Sequence, residues 1–334
     1  MSSVLVLAII VIVLAVAFDF INGFHDTANA IATVVSTRVL SPGQAVLMAA
    51  VLNVVGAFTS TGVAEALAKG IVRPEVVTLD VIIGGLIGAI IWNLFTWYFG
   101  VPSSSSHALV GGLAGAAVAA GGISALAGKG FIKIVLSFVI SPIAGVIIGL
   151  IVLTIMTFFF RNASNSGTNK LFSKLQILSA AAMAFSHGSN DAQKTMGIIA
   201  TALFAAHFIP TLHPPTWVIL TSALAMGLGT SSGGWRIIKT LGHKVVKLTP
   251  FNGFAAETSA ALVIEAASHL GVPVSTTHVI SSTIMSVGLS QGARKVNWKV
   301  MTNIGWAMLL TIPASAVVGA IAYLAVHGLI HLLG

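Results

Sequence analysis

The sequence predicts an all-α, polytopic membrane protein made of two repeats, each containing a broken-helix or re-entrant hairpin. Two observations carry this prediction. First, 56% of the 334 residues are hydrophobic and only 7% are charged, whereas about a quarter of the residues in soluble domains are charged. Second, two short polar motifs occur once in each half of this apolar chain. Because charged groups are costly inside a membrane, their symmetrical repetition indicates two halves of one functional site.

Long apolar runs approach the roughly 20 residues that cross a bilayer. They are Val4–Phe18, Val81–Phe99, Ile132–Phe160, Trp217–Leu228 and Met301–Val326. A membrane β-barrel is excluded because barrel strands alternate polar and apolar residues, and these runs do not. The first run lacks the preceding basic residue of a signal peptide and continues into a polar motif, so we expect a retained helix. We expect about 10 to 12 transmembrane segments in all.

The basic residues lie between the apolar runs rather than in one patch. The net charge is +8, and we expect the longest basic cluster, Arg236–Lys247, in a cytoplasmic loop. This distribution argues against a nucleic-acid partner. The absence of cysteine from the sequence excludes disulfides and thiolate metal sites.

A polar stretch at Arg161–Lys170, rich in Asn, Ser and Gly, divides the chain near its middle. It predicts a first half at residues 1–160, a linker at 161–170 and a second half at 171–334, which together form one membrane domain. His207–Pro215 contains three prolines and is predicted to be an aqueous loop between helices.

The two repeated motifs have nearly the same separation in both halves. Asn22–Asp26 (NGFHD) matches His187–Asp191 (HGSND), and Gly100–His107 (GVPSSSSH) matches Gly271–His278 (GVPVSTTH). The aspartates are 165 positions apart and the prolines are 171 positions apart. The repeat therefore includes the long segments between the motifs.

The first motif places an aspartate in apolar sequence in each half, Asp26 and Asp191. An ionised carboxylate there costs about 2.5–3.5 kcal/mol, so each needs compensation. Oxygen donors lie near them in sequence or on the same helix face: Asn22, Asn29 and Asn190. Such donors suit hard cations, and sodium in particular where one carboxylate meets each ion. Helix capping, or an ion pair with Lys194, is the alternative.

The second motif predicts an interrupted helix followed by a hydroxyl run. The residue before each proline is biased away from helix, so the chain should break there and restart at the hydroxyls. We predict that Ser103–Gly121 and Val274–Leu289 belong to re-entrant or broken helices. Two restarting helices offer free N–H groups and positive dipole ends that would bind a tetrahedral oxyanion. The alternative is that the hydroxyls only join helices.

Together the motifs predict coupled binding of an anion and cations. An anion near Asp26 and Asp191 would be repelled unless cations bound first, and such reciprocal coupling is what a symporter requires. His107 and His278 are expected either to relay protons or to act as neutral hydrogen-bonding struts.

Two further charged residues have open roles in this prediction. Lys194 either contacts the anion or snorkels towards the membrane surface. Glu257, another carboxylate in apolar sequence, is a further cation-site candidate.

These motifs resemble those of the inorganic phosphate transporter (PiT) family of sodium- or proton-coupled phosphate symporters. The resemblance covers essentially the whole chain and rests on Asn22–Ala30 (NGFHDTANA), the two hydroxyl runs and His187–Lys194 (HGSNDAQK). It implies inverted-topology repeats, a central phosphate site between two helical hairpins, and cation sites beside the aspartates. Animal members usually carry Asn where this chain has His25; bacterial members have His, and some of those are proton-coupled and move metal-phosphate complexes.

The predicted site is composite. The expected phosphate-binding residues are Thr27, Ser104, Ser105, Ser106, Gln193, Lys194, Ser275, Thr276 and Thr277. The expected sodium-binding residues are Asn22, Asp26, Asn29, Asn190, Asp191 and Glu257. Four histidines are expected to carry protons or to be structural: His25, His107, His187 and His278.

The predicted function is sodium-coupled import of inorganic phosphate by alternating access, in the plasma or inner membrane. Proton-coupled phosphate or metal-phosphate transport and sulfate symport are the alternatives. A hydrolase is disfavoured because both halves carry the same residues, whereas catalysis needs one nucleophile. A channel is disfavoured because empty aspartates repel the anion. No cofactor beyond co-transported sodium is expected, and the resemblance implies a homodimer.

Overall fold

The computed structural model describes residues 3–333, and this part of the chain is built from α-helices without a β-sheet. The first half contains α1 Ser3–Ser36, α2 Pro42–Ala57, α3 Gly62–Gly70, α4 Leu79–Phe99, α5 Ser105–Gly121 and α6 Lys129–Phe160. The second half contains α7 Asn165–Ala205, α8 Thr216–Ser232, α9 Trp235–Lys239, α10 Pro250–His269, α11 Thr276–Ser290 and α12 Trp298–Leu333.

Within residues 3–333, four helices are long and apolar enough to cross a membrane alone, namely α1, α4, α6 and α12. Helices α2 and α3, bent by 72° at their junction, would together form a fifth span. The structure contains 12 α-helices within residues 3–333. By length and composition, up to five spans cross a membrane completely. The predicted 10 to 12 segments therefore match the number of helices, and most of these helices are not complete spans by that measure. The apolar run 217–228 lies in α8, which has only 17 residues.

The two halves pack through matching close contacts. A Cβ added to Gly23 of α1 would overlap the carbonyl oxygen of Met226 in α8, and one added to Gly188 of α7 would overlap that of Asn53 in α2. Gly188 is the repeat counterpart of Gly23. The Asp-bearing helix of each half therefore packs, through a glycine, against the second helix of the other half.

The Asp-bearing helices α1 and α7 run in opposite directions. Asp26 and Asp191 lie together, yet the carboxylate of Glu257 accepts hydrogen bonds from both Thr33 and Ser179. Thr33 follows Asp26 along α1, whereas Ser179 precedes Asp191 along α7. Corresponding helices are thus antiparallel, which is the arrangement of inverted repeats.

Both predicted breaks are present and have the same geometry. Helices α4 and α10 are each followed by a left-handed glycine, Gly100 with φ 64° and Gly271 with φ 63°. The Gly100 N–H donates to the Trp97 carbonyl, and the Gly271 N–H donates to the Ser268 carbonyl. Positive φ favours glycine, since a Cβ is strained there. The chain then passes the proline and restarts as α5 or α11.

The structure describes three connecting segments that the sequence analysis singled out. The turn between the halves is only residues 161–164, because Asn165 already begins α7 and Ser164 caps that helix. The expected basic loop contains the short helix α9 and a π-helical turn at Thr240–Lys244, since its buried apolar residues pack while its basic residues stay exposed. Residues 207–215 form the predicted non-helical loop.

Candidate functional site

The first aspartate lies on a continuous helix. Because α1 has no break between Ser3 and Ser36, Asn22, Asp26 and Asn29 share one face, as their spacing predicts. All three side chains are buried. Oxygen Oδ1 of Asn22 and Oδ1 of Asn29 have no hydrogen-bond partner in the part of the chain that the structure describes. These amide oxygens therefore remain available as ligands.

The carboxylates of the two halves meet at the interface between α1 and α7. Asp26, Asp191 and His187 each offer a ligand atom, and these atoms lie within 4.8 Å of one another. All three residues are buried. Two acids at this separation repel each other strongly in a membrane interior. The cluster is therefore suited to hold a cation, and His187 belongs to it.

His25 binds the first aspartate. Its Nδ1 lies 2.6 Å from Oδ1 of Asp26, and its Nε2 lies 3.1 Å from Oγ1 of Thr96 at the end of α4. The hydroxyl of Ser103, in the break before α5, donates to Thr96 Oγ1 at 2.7 Å. His25 thus connects the first carboxylate to the first break. Thr96 and Ser103 were not among the predicted site residues, and only their contact with His25 identifies them.

The second half repeats this anchoring with another residue type. Asn190, the counterpart of His25, donates from Nδ2 to the hydroxyl of Ser268 at the end of α10, at 3.0 Å. Its Oδ1 has no partner among the described residues. The residue before each aspartate therefore holds the helix that precedes the break of its own half.

Lys194 neutralises the second aspartate. Its Nζ lies 2.6 Å from Oδ1 of Asp191, and the lysine is only 1% exposed. The predicted alternative of a snorkelling lysine is therefore wrong, because the ammonium group finds its counter-ion inside the protein. The ion pair is the arrangement that sequence reasoning held as an alternative to a cation site.

The hydroxyl runs lie at the starts of α5 and α11, as predicted. Ser104 and Ser275 are the N-cap residues, and their hydroxyls accept hydrogen bonds from the N–H groups of His107 and His278, each at 3.2 Å. The N–H groups of the first helical residues have no intrahelical partner. The hydroxyl of Ser105 is buried and has no partner within residues 3–333. Each start thus retains donors for an anion.

Side chains join the start of α11 to both aspartate helices. Asn29 donates from Nδ2 to the hydroxyls of Thr276 at 3.2 Å and Thr277 at 2.9 Å. The hydroxyl of Thr276 in turn donates to Oδ2 of Asp191 at 3.2 Å. The cation cluster and one candidate anion site are therefore in direct contact.

The two breaks also contact each other. The hydroxyl of Ser106 donates to the carbonyl of Val274 at 3.3 Å, and the rings of His107 and His278 have centroids 4.3 Å apart. His107 also packs on Phe138 with centroids 4.0 Å apart. This packing favours the structural interpretation of the two histidines over proton relay.

Two predicted phosphate ligands point elsewhere. The hydroxyl of Thr27 donates to the carbonyl of Gly23 at 2.6 Å and lies 3.4 Å from the carbonyl oxygen of Thr230 in α8. The amide oxygen of Gln193 accepts from the N–H groups of Val63 at 2.8 Å and Ala64 at 3.3 Å. Gln193 therefore caps the start of α3. Both residues stabilise helix packing in this structure, because a nearby backbone group satisfies each polar side chain.

Glu257 lies in a separate polar cluster. Its carboxylate accepts hydrogen bonds from Thr33, Ser179 and Gln176. Thr33 is two helical turns beyond Asp26, about 10 Å along α1. The structure thus does not bring Glu257 to the two aspartates, and protein donors occupy its oxygens.

The sequence matches a known family along most of its length. Residues 22–168 and 160–319 match the sequence model described as the phosphate transporter family. The chain belongs to the phosphate transporter family. A probable low-affinity inorganic phosphate transporter of Bacillus subtilis (strain 168) is 50% identical to this chain, and the match covers 97% of this chain and 98% of the relative. Another, of Rhizobium meliloti (strain 1021), is 45% identical, and the match covers 97% of this chain and 98% of that relative.

A solved structure titled the sodium-dependent phosphate transporter has a TM-score of 0.86 to this fold. It is 27% identical, and the match covers 96% of this chain and 98% of that one. This protein is therefore a multi-pass membrane transporter of phosphate with the PiT fold and is not an enzyme, as the motifs predicted.

Proposed function

We propose that this phosphate transporter imports inorganic phosphate together with sodium across the cytoplasmic membrane. In this proposal phosphate binds between the starts of α5 and α11, and sodium binds beside Asp26 and Asp191. The fold match to a sodium-dependent phosphate transporter supports the choice of ion. The free N–H groups and hydroxyls at both helix starts support the choice of a tetrahedral oxyanion.

One contact carries the proposal, namely the hydrogen bond from the Thr276 hydroxyl to Asp191 at 3.2 Å. It brings a carboxylate to the helix start that would receive the anion. Lys194 balances only Asp191, and Asp26 lies beside it with a histidine partner that is charged only when protonated. The remaining carboxylate charge would repel phosphate strongly in a low-dielectric site. Sodium at the aspartates would remove the repulsion, so each ligand would strengthen the binding of the other.

Lys194 gives this coupling a second component. Its ammonium group pairs with Asp191 at 2.6 Å, so it occupies one oxygen that sodium would use. Sodium binding at Asp191 would displace the lysine from that oxygen. The Lys194 ammonium group would then face phosphate at the start of α11. The sequence predicts this contact between Lys194 and phosphate.

The inverted repeats supply a route for alternating access. Because α1 and α7 are antiparallel and each half contains one break, a site at their interface has equivalent walls on both sides. Rocking one repeat against the other would open the site alternately to the two sides of the membrane.

The test is uptake of radiolabelled phosphate into proteoliposomes, with sodium and proton gradients imposed separately. We expect an inward sodium gradient to drive uptake at constant pH, and Asp26→Asn to abolish it. Asn29→Ala, which removes the bonds to Thr276 and Thr277, should raise the KM for phosphate. Uptake that follows only the pH gradient would disprove sodium coupling, and uptake that ignores both gradients would indicate a channel.

Proton-coupled phosphate transport is the second candidate. The observation that favours it is the direct contact of His25 with Asp26 at 2.6 Å, because a histidine paired with a carboxylate is a common proton acceptor. The same two gradients separate this candidate from sodium coupling.

A further inference from the structure

A third carboxylate, Asp19, is buried on the same helix as Asp26. It lies seven residues earlier on α1, and this spacing places the two acids on one helix face. Asp19 is 0% exposed. Neither of its carboxylate oxygens has a hydrogen-bond partner within residues 3–333. No motif singled it out, since it precedes the repeat and has no acidic counterpart in the second half.

Two other unpartnered polar groups surround this carboxylate. The side chains of Asn22 and Thr195 lie within reach of Asp19 and favour its charged form. Neither the amide of Asn22 nor the hydroxyl of Thr195 makes a hydrogen bond of good geometry in the described part of the chain. Asn22 is one turn after Asp19 on α1, and Thr195 is one turn after Asp191 on α7. The cluster therefore spans the same helix interface as the two repeated aspartates.

The burial of these groups needs a compensating partner. An uncompensated carboxylate in a membrane interior is costly, and unpaired buried amides and hydroxyls add to the cost. The positive charge of Lys194 acts on Asp19 as well, but its ammonium group is bonded to Asp191 and not to Asp19. The charge of Asp191 itself acts on Asp19, which increases the need for a cation. Two carboxylate oxygens, one amide oxygen and one hydroxyl form a hard, all-oxygen donor set.

We propose that Asp19, Asn22 and Thr195 form a further sodium site at the interface of α1 and α7, with Asp19 about two helical turns from Asp26. The all-oxygen donor set favours sodium over transition metals, which prefer nitrogen or sulfur ligands. The role of this sodium in transport rests on the proposed sodium coupling, whereas its binding does not. An ion here would also reduce the repulsion between Asp19 and Asp191 and thus prepare the central site for phosphate.

The test is direct binding of radiolabelled sodium to the purified, full-length protein without phosphate, followed by paired sodium and phosphate uptake in proteoliposomes. The variants are Asp19→Asn and Thr195→Val. The matched control is Asp80→Asn, which removes another acid that bonds to His327 at 2.7 Å. Size-exclusion chromatography and thermal unfolding identify variants that fail to fold. Thr195→Val keeps the shape of its side chain and the charge of Asp19, so it tests the site if Asp19→Asn is unstable.

We expect Asp19→Asn to lose one class of bound sodium and to lower the ratio of sodium to phosphate taken up. Thr195→Val should raise the sodium concentration for half-maximal binding about tenfold, and Asp80→Asn should change neither value. Unchanged sodium binding in folded Asp19→Asn and Thr195→Val would overturn the inference. A variant whose uptake changes only in its response to a pH gradient would also overturn it, since Asp19 would then carry a proton.

These outcomes are distinct from failure of the proposed function. If wild-type uptake ignores the sodium gradient but Asp19-dependent sodium binding is present, the coupling proposal fails and this site stands. If wild-type uptake follows sodium but Asp19→Asn binds sodium normally, only this site is disproved.

Discussion

The two aspartate motifs have the same backbone setting but different counter-groups. Asp26 is bonded to His25, a side chain that carries charge only when protonated, whereas Asp191 is bonded to the ammonium group of Lys194. His25 is anchored to Thr96, while Lys194 has Asp191 as its bonded partner. The repeat thus preserves where each carboxylate lies, but it does not preserve what balances its charge.

This difference predicts unequal roles for the two halves. A neutral partner can remain beside a carboxylate when sodium arrives, because it adds no like charge. A lysine must move or be repelled, since two cations at one carboxylate oppose each other. We therefore expect the second half to couple ion binding to a side-chain movement, and the first half to bind its ion in a more rigid site.

The largest expected effect compares loss of the two acids. Asp191→Asn leaves the buried Lys194 unpaired, and breaking a buried ion pair in this way costs about 3–5 kcal/mol. Asp26→Asn leaves a histidine that can lose its charge, so this variant should lose much less stability. Thermal unfolding of the purified variants measures the difference. Asp191→Asn combined with Lys194→Gln should recover stability, and equal losses in the two single variants would contradict the comparison.

The next effect concerns competition for sodium at Asp191. Lys194→Gln removes the ammonium group from the carboxylate, and hydrogen bonds to charged groups contribute about 1.5–3 kcal/mol. Half-saturating sodium should therefore fall by about tenfold or more, while the KM for phosphate rises. Initial rates of phosphate uptake at varied sodium measure both constants. A sodium dependence equal to that of the wild type would show that Lys194 does not compete with the ion.

A smaller effect is expected at the first aspartate. His25→Asn replaces the ring that bonds to Asp26 with a side chain that carries an amide oxygen. A hydrogen bond from a single donor to a carboxylate contributes about 1.5 kcal/mol, the low end for charged groups, so half-saturating sodium should fall by no more than about tenfold. The same uptake assay applies, with Lys194→Gln as the matched comparison. A larger change here than in Lys194→Gln would reverse the assigned difference between the halves.

The smallest effect is expected from Thr27→Val, which has nearly the same shape as the wild-type side chain. The Thr27 hydroxyl donates to a backbone carbonyl rather than to the helix starts, so the change should cost about 1 kcal/mol of stability and leave the KM for phosphate unchanged. Uptake at varied phosphate measures this constant. A raised KM would place Thr27 in the phosphate site, as the sequence predicted.

Much of the fold was accessible from the sequence because its signals are local. Gly-Val-Pro followed by hydroxyls predicted both helix breaks, since proline and a left-handed glycine act on the adjacent backbone. The spacing of Asn22, Asp26 and Asn29 predicted their shared face for the same reason. The extent of the linker was less accessible, because Ser164 caps a helix that begins inside the polar stretch.

The orientation of individual side chains was not accessible. Thr27 and Gln193 lie in motifs that suggested phosphate binding, yet the Thr27 hydroxyl donates to a carbonyl of its own helix and the Gln193 amide oxygen accepts from an N–H group of α3. Glu257 lies in apolar sequence like the two aspartates, but its partners lie on α1 and α7, about two turns or more away from those aspartates. The partners of Gln193 and Glu257 are distant in sequence, so no local pattern identifies them.

The sequence by itself determined the membrane class, the two-fold repetition, the positions of the helix breaks and the family, because composition and short motifs encode these features directly. The tertiary structure confirmed the inverted repeats that the resemblance implied. It alone decided that Asp26, His187 and Asp191 converge and that Lys194 is buried against Asp191. It alone also shows that Asp19 lies beside Asn22 and Thr195 without a hydrogen bond of good geometry in the described chain. The physical reason is that a buried charge is defined by its neighbours in space, and these come from different helices.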